Sequence, residues 1–432
     1  MVSKKTHLHK AKSILAINGG KKLVTIKKPH FVWPPKATKE EKYHLAKQRD
    51  DDISIKGRSG PIKELEDEFL KYLDGKRKFA ITYNSGTSAL LAAYFAIGIE
   101  EGDEIIAPAL TYHAAISSVY FLKANPILVD IDPKTFCIDS KKIEQAVTKR
   151  TKAITVVHQW GHPADMDAIL KIARRHNLKI IEDCSHAHGS KYKGKKVGLF
   201  GDIAVFSLQA NKILFAGEGG ILVVNSSELH DRATLLGHYR DRSNEEIKDK
   251  FLQQFWVTGY GLKLRMSPYN AVTALHALKK LDQRIKERKK CLLYLSNKLS
   301  KFLELTPPYI APYANMGAWY GYRVLYDPKK FHNIPIDKYV SALAAEGVEV
   351  KLSDTPSFST LPLFSIKEDR MYKNRKDKKT YSVGQFPAAE YIGLNAFKFP
   401  TFTDWFESKE IIDQYFKTFK KIHENYNELL EK

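Results

Sequence analysis

The chain has 432 residues, 43% of them apolar and 11% aromatic, with no long low-complexity tract, which excludes a disordered or fibrous protein and leaves room for two domains at about 100 to 200 residues each. Its 70 Lys and Arg against 49 Asp and Glu give a net charge of +21, which suits an anionic partner or simple solubility and says nothing about fold. Cys137, Cys184 and Cys291 are widely spaced and form no CxxC pair; this pattern fits a reducing compartment and no zinc-ligand set, so no metal is expected. The apolar run Ile14 to Ile17 near the basic N-terminus is too short for a signal-peptide core, and no stretch approaches the ~18 apolar residues of a membrane span, so a cytoplasmic protein without a membrane partner is expected.

In chain order, "KFAITYN" from Lys78 reads as a strand and "TSALLAAYFAIGI" from Thr87 as a helix. "DEIIAPAL" and "NPILVDI" read as strands around a helical "YHAAISSVYFLKA", followed by the helix "SKKIEQAVTKR", the strand "TKAITVVHQW" and the helix "ADMDAILKIARRHN". "LKIIEDC", "GDIAVFSL" and "GGILVVN" complete the strands by Asn225. Repeated βα units at this spacing predict an α/β fold, a largely parallel sheet covered by helices on both faces, with ligands beyond the carboxyl ends of the strands.

From Asp241 to Val257 a polar, then aromatic, insertion follows, and a long helical region starts at Ser267. A second, smaller α/β pattern comes next: the strand "WYGYRVLYD", the helix "PIDKYVSALAAEG", a basic surface loop at 361–384 and an amphipathic helix at 407–432. The expected division is an N-terminal arm and substrate-side segment at 1–60, a large α/β domain at 61–266, and a linking helix with a small α/β domain at 267–432.

The chemistry is sought at the strand ends. Asp183 closes "LKIIEDC", and Lys212 follows "GDIAVFSL" after a short irregular turn. Ser85, Gly86 and Thr87 lie between a strand and a helix, where small residues and the first helical N–H groups favour a phosphate. Pyridoxal phosphate needs such a set: a lysine to hold it as a Schiff base, a carboxylate to keep its ring nitrogen protonated, and a phosphate cup. Tyr112, after "APALT", could stack on the ring, and Ser207 could donate its hydroxyl to the phosphate. Singly, each of these has a plainer account: a solvated lysine in a basic chain, an aspartate cap, a half-buried tyrosine, an ordinary helix start. Their order and spacing favour the joint one.

The stretches "NSGTSALLAAYFAIGIEEGDEIIAPALTY", "ANPILVDIDPKTFCID", "VHQWGHPADMDAI", "IIEDCSHAHGS", "GDIAVFSLQANKILFAGEGG" and "LRMS" together resemble the DegT/DnrJ/EryC1/StrS family of pyridoxal-phosphate-dependent sugar and aminocyclitol aminotransferases, over nearly the whole chain. The resemblance implies a fold-type I aminotransferase, a homodimer with active sites shared between subunits, and a ping-pong exchange through pyridoxal and pyridoxamine phosphate. It puts the Schiff base on Lys212, the ring-nitrogen partner on Asp183, phosphate contacts on Gly86, Thr87 and Ser207, and ring stacking on Tyr112. His186 stands where many members carry a glutamine near the phenolic oxygen, and its charge is expected to vary near neutral pH. Lys263 stands where members often carry an asparagine that reaches the phosphate across the dimer. Related dehydratases replace the Schiff-base lysine by histidine, so Lys212 implies transamination. The implied reaction moves an amino group from glutamate or glutamine to a keto-sugar, nucleotide-linked, or to a keto-cyclitol. "LAINGGKK", "VWPP" and "SLQANK" resemble the scyllo-inosose branch, which takes glutamine. Acceptor choice is expected to depend on the loop around Arg58 and on the region of Trp319 and Tyr320. The alternative is a non-catalytic basic protein on the same scaffold that binds nucleic acid; no helix-turn-helix or aromatic-interleaved basic motif supports it, and nucleic acid is not an expected partner.

Overall fold

The computed structural model describes residues 14–368 and 377–430. The first thirteen residues of the basic N-terminus, the stretch 369–376 of the predicted basic loop and the last two residues of the predicted terminal helix lie outside them.

A seven-stranded sheet organises the first part of the chain. Its order in space is Phe79–Tyr83, Gly220–Val224, Ile203–Ser207, Lys179–Asp183, Thr151–Val157, Glu104–Pro108 and Asn125–Val129. Five neighbouring strands run parallel, while Gly220–Val224 runs antiparallel to both of its neighbours. Side-chain alternation explains the two covered faces. Ile203, Val205, Leu222 and Val224 point into one apolar cluster with the helix Gly86–Ala96, whereas Ala204, Phe206, Ile221 and Val223 point into another with Leu65, Phe69 and Leu275. A strand buried on both faces reads as a continuous apolar run, as these do.

A second sheet, antiparallel throughout, has the order Leu305–Thr306, Tyr322–Tyr326, Ala396–Phe399, Lys351–Leu352. Val324, Phe397 and Phe399 share a separate core with Leu292, Leu295 and Leu299 of the helix Leu281–Leu299, Leu343 of Ile336–Ala345, and Ile412, Tyr415 and Phe419 of Trp405–Glu424. No helix among the described residues is long and apolar enough to cross a membrane.

The differences from the sequence reading are local. The helix expected over "YHAAISSVYFLKA" is a short turn, Ala114–Ser117, continued as a 3₁₀ helix over Ser118–Leu122 and ended by Lys123 at φ +56. Serines and β-branched or aromatic side chains give this run little intrinsic hold on an α-helix. The long helix expected after Ser267 is two, Pro268–Lys279 and Leu281–Leu299, with a break at Lys280. The terminal helix stops at Glu424 and is followed by a 3₁₀ turn, Tyr426–Leu429. The insertion forms two short helices, Asp241–Glu246 and Lys250–Gln253. Arg242 ties the first of them down: buried, it donates from both terminal nitrogens to the buried Glu66 carboxylate at 2.8 and 3.0 Å.

Candidate active site

Asp183 and Ser207 end two adjacent parallel strands, and Gly220 pairs with both Ser207 and Tyr83, which brings the Ser85 turn alongside. The approach demands glycine at two points. A Cβ on Gly220 would stand 2.4 Å from the Ser85 carbonyl oxygen, and one on Gly86 would stand 2.7 Å from Ser207 Cβ. Ser85 caps the helix Gly86–Ala96, its Oγ accepting from the Ser88 N–H at 3.0 Å. The N–H groups of Gly86 and Thr87 are the leading donors of that helix, which have no partner within it.

A cavity of about 1190 Å³ opens here. Ser85, Gly86, Thr87, Tyr112, Asp183, His186, Ser207 and Lys212 all line it, so eight of the nine residues singled out from the sequence meet in one place. Lys263 does not line it. It is exposed, next to the bridge its backbone forms with Gly237. Tyr112 is 61% exposed at the cavity edge and not part of the core.

Lys212 is the decisive side chain. It is only 8% exposed, and its Nζ makes no ion pair among the described residues; it sits 3.7 Å from the centre of the Tyr320 ring. Burial pushes its ammonium down to about 8, against an opposing pull from Asp183. Its backbone is pinned on both sides: the Lys212 N–H donates to Gln209 O at 2.8 Å, and the Trp33 indole N–H donates to Lys212 O at 3.3 Å. Asp183 is buried, its Oδ1 accepting from the Ser185 N–H at 3.0 Å.

His186 differs from the sequence expectation. It stacks on Tyr320 with 4.4 Å between ring centres, and burial, then Lys212 and Arg323, hold its pKa well below the usual imidazole value. It therefore stays neutral where a charge change was expected. The Trp160 N–H donates to His186 Nδ1 at 3.4 Å, which leaves Nε2 as the protonated nitrogen, a donor.

Arg58, in the loop expected to bear on acceptor choice, does not line the cavity; its Nε donates to Glu66 at 2.7 Å and its Nη2 is bound to Asp67. Of the second region named for that role, Tyr320 lines the cavity and Trp319 is buried in the core under the second sheet. The sequence reading missed Arg323, which faces the cavity from the Tyr322–Tyr326 strand, donates to Asp354 at 3.2 Å and lies 4.9 Å from the Trp160 ring. An arginine inside the apolar run "YRVLY" was the available signal. It also missed Trp33, whose partner is 179 positions away in the chain.

The site fits what pyridoxal phosphate requires: a helix N-terminus with leading N–H groups brought close to Ser207 by glycines, a buried amine that makes no ion pair among the described residues, and a buried carboxylate at the next strand end. A model described as the DegT/DnrJ/EryC1/StrS aminotransferase family matches residues 36–404. The chain belongs to that family. Its members depend on pyridoxal phosphate. The L-glutamine:scyllo-inosose aminotransferase of Streptomyces griseus is 32% identical over 430 residues, covering 96% of this chain and 99% of that protein. GDP-perosamine synthase of Caulobacter vibrioides is 40% identical over 252 residues, or 58% of this chain and 65% of that one. The solved aminotransferase from Psychrobacter cryohalolentis superposes with a TM-score of 0.77 at 26% identity, over 92% of this chain and 99% of that one. The fold is that of fold-type I pyridoxal-phosphate aminotransferases, and the enzyme is an aminotransferase.

Proposed function

We propose that this DegT/DnrJ/EryC1/StrS enzyme moves an amino group from glutamate or glutamine to the keto group of a sugar or cyclitol, in amino-sugar or aminocyclitol biosynthesis in the cytoplasm. The observation that carries the reading is Lys212, a buried amine at a strand end beside Asp183 and a glycine-lined anion cup. When bound, pyridoxal phosphate supplies a ring that accepts the electrons left behind as a proton leaves the donor's α-carbon. The protein's own groups do the rest. Lys212 would anchor the cofactor and, when released from it, carry the proton; a pKa near 8 in place of 10.5 raises the neutral-amine fraction at pH 7 by about two orders of magnitude. Asp183 would hold the proton on the ring nitrogen, the His186 Nε2–H would donate to the phenolic oxygen, and Tyr112 would cover a ring face. Gly86, Thr87 and Ser207 would bind the phosphate, with Ser85 shaping the turn. The 1–60 segment would serve as arm and substrate-side wall, 61–266 as the cofactor-binding unit, and 267–432 as the linking helix and small unit.

Two features bear on the acceptor. The cavity lining also carries Lys28, Lys351, Lys398 and the buried Arg323, the last two sharing Asp354 as ion-pair partner, against Glu349 and Asp354, a cationic excess that favours an acceptor with an anionic extension such as a nucleotide diphosphate. The nearly full-length likeness to the scyllo-inosose aminotransferase favours a free keto-cyclitol and glutamine as donor. A panel of nucleotide-linked keto-sugars and inososes, each offered with glutamate and with glutamine, is expected to yield an amine from at least one acceptor. Absence of amine formation across the panel in cofactor-loaded protein would refute the acceptor class.

We also propose that two subunits share each site, with Lys263 approaching the phosphate of the partner's site. Lys212→Ala is expected to be inactive and Lys263→Ala weakened. Mixing equal amounts under conditions that exchange subunits gives heterodimers with one doubly altered and one intact site, so about a quarter of all sites become wild type. Activity should rise above that of the mixture before exchange; no rise after proven exchange would assign Lys263 to its own chain's site or to none.

A further inference from the structure

A second cavity, of about 470 Å³, shares no lining residue with the first. It lies where the helix Lys39–Asp51 packs against Pro268–Lys279, and both His44 and His276 line it. His44 Nδ1 is 2.9 Å from His276 Nε2, and the ring centres are 5.1 Å apart. Glu40, one turn before His44, presents its carboxylate to the same place; ligand atoms of the three side chains all lie within 4.8 Å of one another.

We propose that Glu40, His44 and His276 form a binding site for a divalent first-row transition ion of the zinc or cobalt kind, which clips the two helices together. Nitrogens held at ~2.0–2.1 Å by one such ion are roughly 2.9–3.4 Å apart, so the imidazole pair already has the spacing of two ligands on one metal. Imidazole with a single carboxylate selects zinc, cobalt or nickel over magnesium or calcium, which take oxygen sets. Water completes the coordination on the cavity side. In the metal-free pair one ring donates its proton to the other. Binding requires that ring to move the proton to its other nitrogen through solvent, so two neutral rings take up the ion with no net proton released.

Charge around the site permits a cation. Lys279 Nζ is 3.8 Å from Glu40 Oε1, an exposed and therefore weak pair that the ion replaces. Lys47, also on the cavity wall, is paired with Asp51 at 3.2 Å, and Asp52 and Glu64 line the same cavity. The helix has need of such a clip: of its thirteen residues only Gln48 is buried, so little apolar surface fastens it. The arm that leaves its N-terminal end carries Lys28, Phe31 and Trp33 into the active-site cavity.

The test uses full-length, tag-free protein with its cofactor, stripped of metal by a chelator and titrated with Co²⁺. One equivalent per chain should give visible d–d bands, Zn²⁺ should abolish them, and excess Zn²⁺ should raise the thermal transition by a few degrees. His44→Gln and His276→Gln should each lose the one-equivalent binding, and Glu40→Gln should weaken it. His276 is the more buried histidine; if its variant fails to fold, the half-exposed His44→Gln decides alone. Absence of one-equivalent binding to the wild type, or its survival in the folded histidine variants, overturns the proposal.

Discussion

Lys212→Ala is expected to lose transamination by about 10⁴-fold or more, the upper end of what one positioned proton-transfer group contributes, because in the proposed role the same amine would also anchor the cofactor. The chain is rich in lysine, and only the environment of this one marks it out. It is 8% exposed, without an ion-pair partner among the described residues, and lowered to about 8 by burial. A surface lysine at 10.5 is almost wholly protonated at neutral pH and a poor nucleophile. Cofactor uptake by stripped protein should therefore speed up as pH rises to about 8 and flatten above it. Borohydride reduction of loaded protein followed by peptide mapping should place the pyridoxyl group on Lys212. A label on any other lysine, or an alanine variant within tenfold of the wild-type rate, would overturn the assignment.

The strands and the strand-end residues were legible because they rest on local pattern. Runs such as "DIAVFS" and "GILVV" need only be apolar and β-rich to be read, and the rule that ligands sit at strand ends directs attention to Asp183, Ser207 and Lys212. The antiparallel course of Gly220–Val224 was not legible, since a buried strand looks the same in either direction. Trp33 and Arg323 escaped for a different reason. The first meets Lys212 and the second meets the cavity only through tertiary contacts between distant segments. His186 lines the cavity, but the direction of its pKa was not legible, because burial and the charges of Lys212 and Arg323 belong to the folded chain. The contacts of Arg58, in the loop expected to bear on acceptor choice, were not legible either: the carboxylates that hold it, Glu66 and Asp67, are eight and nine residues onward on a helix that turns them toward it.

Asp183→Asn is expected to keep cofactor binding and lose about a hundredfold or more in rate, roughly 2.7 kcal/mol of barrier. The substitution preserves size, and the asparagine oxygen can still accept from the Ser185 N–H that holds Asp183 Oδ1 at 3.0 Å. The backbone is anchored independently, with the His158 N–H donating to Asp183 O at 3.2 Å, and the residues proposed to hold the phosphate are other ones. What disappears is a buried negative charge, and with it the proposed hold on the ring nitrogen's proton that would make the ring an electron acceptor. Lys212 supplies a second readout. Asp183 works to raise its pKa against burial, so in the asparagine variant the amine should titrate lower still, and the pH dependence of cofactor uptake should move to lower pH. A purely structural role for Asp183 would reduce bound cofactor and leave that profile in place. A variant that binds cofactor, turns over near the wild-type rate and keeps its pH profile would mean that some other group tunes the ring.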